Sequence, residues 1–175
     1  MCKKVFLILS NSHSGVSKLL KFFSHDEYTH VAISLSRELK EMYSFGRLHA
    51  NLPIPGGFVV EDKNGKFYTR FNKTKVKILE VDVTEEQFEQ IKFFINYHVR
   101  HKKSLKYDYF GVLLAYFNKT RVISNRKYCS QFVKDCLTYA KVEGSQTLPK
   151  VTRPIHFDNF QNSVCIYEGP LKNYN

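Results

Sequence analysis

Thr29-His30-Val31-Ala32-Ile33-Ser34-Leu35 decides the fold, because large apolar residues alternate in it with small or polar ones. The alternation predicts a strand with Val31, Ile33 and Leu35 on one face and His30, Ala32 and Ser34 on the other. Such a strand covers a core with one face and carries a histidine on the other. Upstream, Val5-Phe6-Leu7-Ile8-Leu9 is a continuous apolar run that fits a buried strand. A polar loop, Ser10 to Gly15, follows it, and Val16, Leu19, Leu20 and Phe23 then recur at helical spacing.

Downstream, Met42 to Phe45 and Phe58 to Val60 predict further strands, with Pro53, Pro55, Gly56 and Gly57 marking a loop between them. Asn64-Gly65 is a hairpin-turn signal that predicts a strand over Phe67 to Phe71. Val76 to Val83 reads as a longer strand whose alternation slips near Leu79, as at a bulge. Thr84-Glu85-Glu86-Gln87 has the form of a capping box and opens a helix with Phe88, Ile91, Ile95 and Val99 in one stripe. A basic loop, His101 to Lys106, precedes a helix from Tyr107 to Phe117. A last helix fits Cys129 to Ala140, and the tail carries one apolar stretch, Val164 to Tyr167. Strands precede helices and local turns dominate, so the class is α+β, in a single domain over residues 1–175.

Composition narrows the function classes. Hydrophobic residues make up 43% and charged residues 25% of 175, an ordinary globular balance that supports one sizeable core. Lys and Arg number 27 against 16 Asp and Glu, a net charge of +11 that favours anionic partners. Nucleic acid, an anionic membrane surface and an anionic cell-wall polymer all qualify, as does a plain basic surface. The lysines form doublets, Lys3-Lys4 and Lys102-Lys103, rather than one long run. The apolar run after Lys3-Lys4 is too short for a signal peptide, and no stretch approaches the roughly 20 apolar residues of a membrane span. The chain therefore reads as cytoplasmic.

The four cysteines, Cys2, Cys129, Cys136 and Cys165, form no Cys-x-x-Cys pair and fit neither a zinc site nor a dense disulfide framework. Cys129 falls where a helix begins, after Ser124-Asn125-Arg126-Lys127. Unpaired N–H groups and the positive end of the helix dipole favour a thiolate there, with Arg126 and Lys127 adding to the effect. The same residue also heads an apolar stripe, and a buried structural cysteine is the competing reading. Cys136, two turns on, reads as core. His30 is the best base among seven histidines, because it opens a strand beside Tyr28 and Thr29, although an exposed histidine is the plain alternative.

Two motifs join these residues. Thr29 to Leu35 resembles the histidine strand of NlpC-type papain-like hydrolases, and Tyr128-Cys129-Ser130-Gln131-Phe132-Val133 resembles their cysteine helix. Histidine precedes cysteine here, which is similar to the circularly permuted branch of YiiX-like proteins and, more distantly, the lecithin:retinol acyltransferase group. Tyr107-Asp108-Tyr109-Phe110-Gly111 is similar to the family's lead-in to the cysteine helix. The resemblance spans roughly residues 5–140. It implies a papain-like fold with a small antiparallel sheet or barrel packed against helices, and a cysteine peptidase or amidase with Cys129 as nucleophile and His30 as base. The family's third residue, which orients the imidazole from the next strand, falls on Ser44, with Tyr43, Glu41 or a backbone carbonyl as alternatives. A serine departs from the Glu, His, Asn or Gln expected at that place.

The implied chemistry needs no metal or organic cofactor. Substrates implied by the two branches are a peptide or amide, including murein fragments, and a lipid ester. A nonenzymatic nucleic-acid-binding module is the contrasting reading, supported by the charge and by Tyr68, Phe71 and Tyr116 as exposed aromatics, but no nucleic-acid motif or basic helix accompanies them.

Overall fold

Val5 to Leu9 is apolar at every position, a pattern that suits a strand covered on both faces of its sheet. The computed structural model describes residues 2–12, 26–117, 119 and 123–175, and of Pro53 and Tyr116 only the backbone. In it this run lies within β1 (Cys2–Asn11), flanked by β2 (His30–Ser34) and β5 (Lys75–Thr84), and Val5 to Leu9 are all buried. The remaining strands are β3 (Met42–His49), β4 (Leu52–Glu61), β6 (Lys106–Tyr107), β7 (Arg126–Lys127) and β8 (Ser163–Pro170). Together they make one sheet in the order β7-β6-β4-β3-β2-β1-β5-β8. Its ladders are antiparallel except for β6 with β7. The helix spacing of Val16 to Phe23 falls outside the described residues.

Among the described residues the α-helices are α1 (Lys66–Arg70), α2 (Glu85–Arg100), α3 (Tyr109–Tyr116) and α4 (Cys129–Tyr139). One face of the sheet, with Leu7, Val31, Ile33 and Phe45, packs on Ile91 and Ile95 of α2 and Phe132 and Leu137 of α4. The other, with Phe6, Ile8, Ala32 and Met42, packs on Tyr68 of α1 and on Leu171 and Tyr174 of the tail. The expected α+β class holds. The expected small sheet or barrel does not: the sheet has eight strands and stays open, with β7 and β8 as its edges.

Three local expectations change. The strand expected over Phe67 to Phe71 is the short helix α1. Gly65 closes a turn back to the Asp62 carbonyl at 2.8 Å, and the Phe67 and Phe71 rings then meet one helical turn apart, 4.9 Å between centroids. Pro53 to Gly57 is not a loop but part of β4; the turn lies at Ala50 and Asn51. The glycines serve strand packing, since a Cβ on Gly56 would stand 2.6 Å from the Tyr109 hydroxyl, and one on Gly57 2.6 Å from the Leu105 carbonyl oxygen. The slip near Leu79 is real but belongs to the partner strand. β5 pairs regularly with β1, whereas β8 carries an extra residue, Ile166, opposite the step from Ile78 to Leu79. Ile78 and Leu79 are both buried because each faces a different core.

The capping box forms as read. Thr84 Oγ1 accepts the Gln87 N–H at 3.1 Å and Gln87 Oε1 accepts the Thr84 N–H at 2.9 Å. Thr84→Ala removes one of these bonds and should lower stability by about 1 kcal/mol. Urea unfolding checks this, the midpoint falling at unchanged slope.

Candidate active site

Cys129 is the first residue of α4, and two anchors hold that helix start in place. Ser130 Oγ donates to the Thr152 carbonyl at 2.8 Å, and β7, immediately upstream, pairs with β6 in the sheet. The helix axis thereby aims its free N–H groups at the opening of β2, where His30 sits. The Cys129 sulfur lies beside the His30 ring and the backbone N–H groups of Val31 and Ser130, each near enough to favour its ionised form. Cys129 is only 2% exposed, and it heads the core stripe as well as meeting histidine. The His30 side chain keeps 24% of its area in solvent, so the polar end of the pair faces outward.

On its other side the His30 ring meets an acid that was not among the expected residues. Nε2 lies 3.0 Å from Glu61 Oε1, which leaves Nδ1 as the nitrogen facing sulfur. Glu61 ends β4 opposite Met42 of β3, on the same face of the sheet as Ser44. Ser44 Oγ donates to Glu61 Oε1 at 2.6 Å, and the Tyr68 hydroxyl donates to Oε2 at 2.5 Å. Ser10 in turn bonds the Tyr68 hydroxyl. Ser44 therefore belongs to the cluster, but it holds the carboxylate rather than the imidazole. Tyr43 and Glu41, the alternatives, are turned to each other, with the Tyr43 hydroxyl donating to Glu41 at 2.9 Å.

These contacts set the charges. Burial works against ionising Glu61, but the His30 cation and the hydrogen bonds from His30, Ser44 and Tyr68 outweigh it and bring the carboxyl down to about 2. Burial likewise disfavours the imidazolium, yet the Glu61 charge and the bonds to Cys129 and Glu61 raise His30 to about 10. At Cys129, burial pushes the thiol up, and the His30 hydrogen bond and charge, with the two backbone N–H groups, bring it below its ordinary value. Each of the three shifts favours the charged form along the Cys129–His30–Glu61 chain. His30 supplies the cation; the Lys127 ammonium of β7 is paired instead with Asp135 of α4, and Arg126 lines a groove elsewhere. Cys136 is fully buried, with its thiol pushed up by burial, as a core residue should be.

Gly46 packs against the flank of this chain. A Cβ there would lie 3.7 Å from His30 Cε1 and 3.6 Å from Glu61 Oε1. Among the described residues, no group of three or more His, Cys, Asp or Glu side chains converges to hold a metal ion. Tyr68, expected as an exposed aromatic for base stacking, is buried and committed to Glu61. Phe71 packs on Phe67 under the Arg47 guanidinium, and the Tyr116 side chain lies outside the described residues.

Glu61→Gln removes the charge that holds the imidazolium and should move the pH midpoint of Cys129 alkylation upward. Ser44→Ala and Tyr68→Phe should move it the same way by less. Iodoacetamide rates against pH, in a background lacking the exposed Cys2 and Cys165, check this; an unmoved midpoint in Glu61→Gln removes the carboxylate from the chain. No protein-family model matches the sequence, and no curated protein matches it, so the weight of the assignment rests on this geometry.

Proposed function

We propose that the chain is a cysteine hydrolase of the permuted, NlpC-type papain-like kind, cleaving an amide or peptide bond. The observation that carries this reading is the run of groups from Cys129 at a helix N-terminus, through the His30 ring beside its sulfur, to Glu61 hydrogen-bonded behind that ring. A buried cysteine with a purely structural role needs neither a histidine on its sulfur nor a clamped carboxylate behind that histidine. Order along the chain also fits, with the histidine strand preceding the cysteine helix.

In this mechanism the Cys129 thiolate attacks the carbonyl carbon, and the carbonyl π electrons move to oxygen. N–H groups at the start of α4, that of Cys129 among them, receive the oxyanion. His30 gives its Nδ1 proton to the leaving nitrogen, the C–N bond breaks, and a thioester remains on Cys129. His30, now neutral, takes a proton from water as that water attacks the thioester. The thiolate leaves and the ion pair is restored. Glu61 keeps the ring oriented and stabilises each imidazolium, while Ser44 and Tyr68 hold Glu61. An ester or thioester carbonyl is open to the same steps.

A thiol-directed acyl probe tests the reading. It should label the wild-type chain at Cys129, leave Cys129→Ala unlabelled, and react at least about a hundredfold more slowly with His30→Ala. Undiminished labelling of Cys129→Ala would sink the assignment. Acyl transfer from a phospholipid to Cys129, with no turnover of amides, would favour the lipid-ester substrate instead. The pH profile follows from the charges: activity is present once Cys129 ionises, below the ordinary thiol range. It is lost as pH rises through about 10, where His30 gives up the proton needed by the leaving group.

A further inference from the structure

α3 is packed the wrong way round for a helix that ends at water. Its sequence, Tyr-Phe-Gly-Val-Leu-Leu-Ala-Tyr, has no charged residue. The residues turned into the body are the small ones, Gly111 and Ala115. The bulky ones turn outward: Phe110 is 54% exposed, Leu113 42% and, just past the helix, Phe117 63%. Gly111 is dictated locally, because Asp108 caps the helix by accepting the Gly111 N–H at 2.9 Å and a Cβ there would run into that carboxylate. Nothing local requires phenylalanine and leucine outside. An apolar stripe of this kind marks a surface that something else covers.

Two neighbouring features say what covers it. Leu48, Leu52 and Ile54, at the tip of the β3–β4 hairpin, are also exposed. A groove of about 640 Å³ joins that tip to the start of α3, with Leu48 and Ile54 on one side and Tyr107 and Tyr109 on the other. Its rim is cationic: Lys102, Lys103, Lys106 and Arg126 line it and, among the described residues, no Asp or Glu does. Exposed aliphatic and phenyl groups, tyrosines and lysines together, with no acid among the described lining residues, have the composition of a surface that meets a lipid interface with anionic headgroups. A second copy of the chain fits poorly, since pairing would bring the two cationic rims together in a molecule of net charge +11. Nucleic acid has no use for the leucines and isoleucine.

We infer that the outward face of α3, the β3–β4 tip and the Lys102–Lys106 loop dock on the surface of an anionic lipid bilayer. The contact is peripheral, and no described helix is long and apolar enough to cross a membrane. It does not depend on the proposed chemistry at Cys129.

Vesicle co-sedimentation tests the inference with the full chain. The wild type should pellet with phosphatidylglycerol–phosphatidylcholine vesicles, far less with phosphatidylcholine alone, and progressively less as salt rises. Phe110→Ser with Leu113→Ser should weaken binding about tenfold or more, and Lys102→Glu with Lys103→Glu should weaken it most at low salt. All four positions are exposed, so thermal midpoints should hold. Cys129→Ala should bind as the wild type does. The inference is overturned if the wild type stays in the supernatant with both vesicles, or if the Phe110/Leu113 variant pellets undiminished. It is also overturned if the wild type ignores vesicles and sediments as a dimer that this variant dissociates.

Discussion

A carboxylate drawn into the body of a protein must be neutralised and fully hydrogen-bonded or it unfolds its surroundings. Glu61 meets that constraint with a cation and two hydroxyls: His30 and Ser44 on one oxygen, Tyr68 on the other. Each partner arrives on a different element, so the charge ties together β2, β3, β4 and α1. Removing any donor leaves part of a buried anion uncompensated, a loss of about 1–3 kcal/mol that neighbouring apolar contacts do not replace. The His30 cation in turn favours the thiolate form of Cys129, which is otherwise surrounded by core. The acid, the imidazole and the sulfur are one electrostatic object.

The sheet supplies the spacing this object needs. With β3 between them, β2 and β4 bring His30 and Glu61 into contact beside Gly46 of the intervening strand, whose Cβ position lies at ordinary contact distance from both. Covering both faces of β1 and β5 makes the centre of the sheet rigid, and α4 rests on that rigid centre through Phe132, Val133 and Leu137. The helix start is then fixed against the opening of β2 with its N–H groups facing the sulfur. Precision at the site comes from strands and a helix end, not from loops.

Elements with strong periodicity were legible from sequence, and so was the catalytic-looking pair. His30 on the polar face of β2, the capping box at Thr84, the stripe of α4 and the core role of Cys136 all rest on local rules that tertiary packing reinforced. Glu61 was not legible, and the reason is register. Reading Pro53 to Gly57 as the loop between the strands, rather than placing the turn at Ala50 and Asn51, leaves no β4 long enough to pair Met42 with Glu61. Ending that strand at Val60 then leaves the acid outside it. The available signal was a carboxylate closing an apolar run at strand spacing from Val59. The Asn64-Gly65 hairpin signal misled at Phe67 to Phe71 as well, where the turn leads into a helix and ring contacts form one helical turn apart. Ser44 was found for the right face and the wrong partner.

The extra residue in β8 bears on how the molecule avoids its own copies. β8 is an outer strand, and an outer strand presents unpaired N–H and C=O groups on which another chain can build a ladder. The bulge at Ile166 interrupts the spacing of those groups midway, and Pro170 offers no N–H at the far end. Between them Glu168 adds a charge that a growing ladder would have to desolvate. The sheet can therefore stay open at this side without seeding edge-to-edge aggregation.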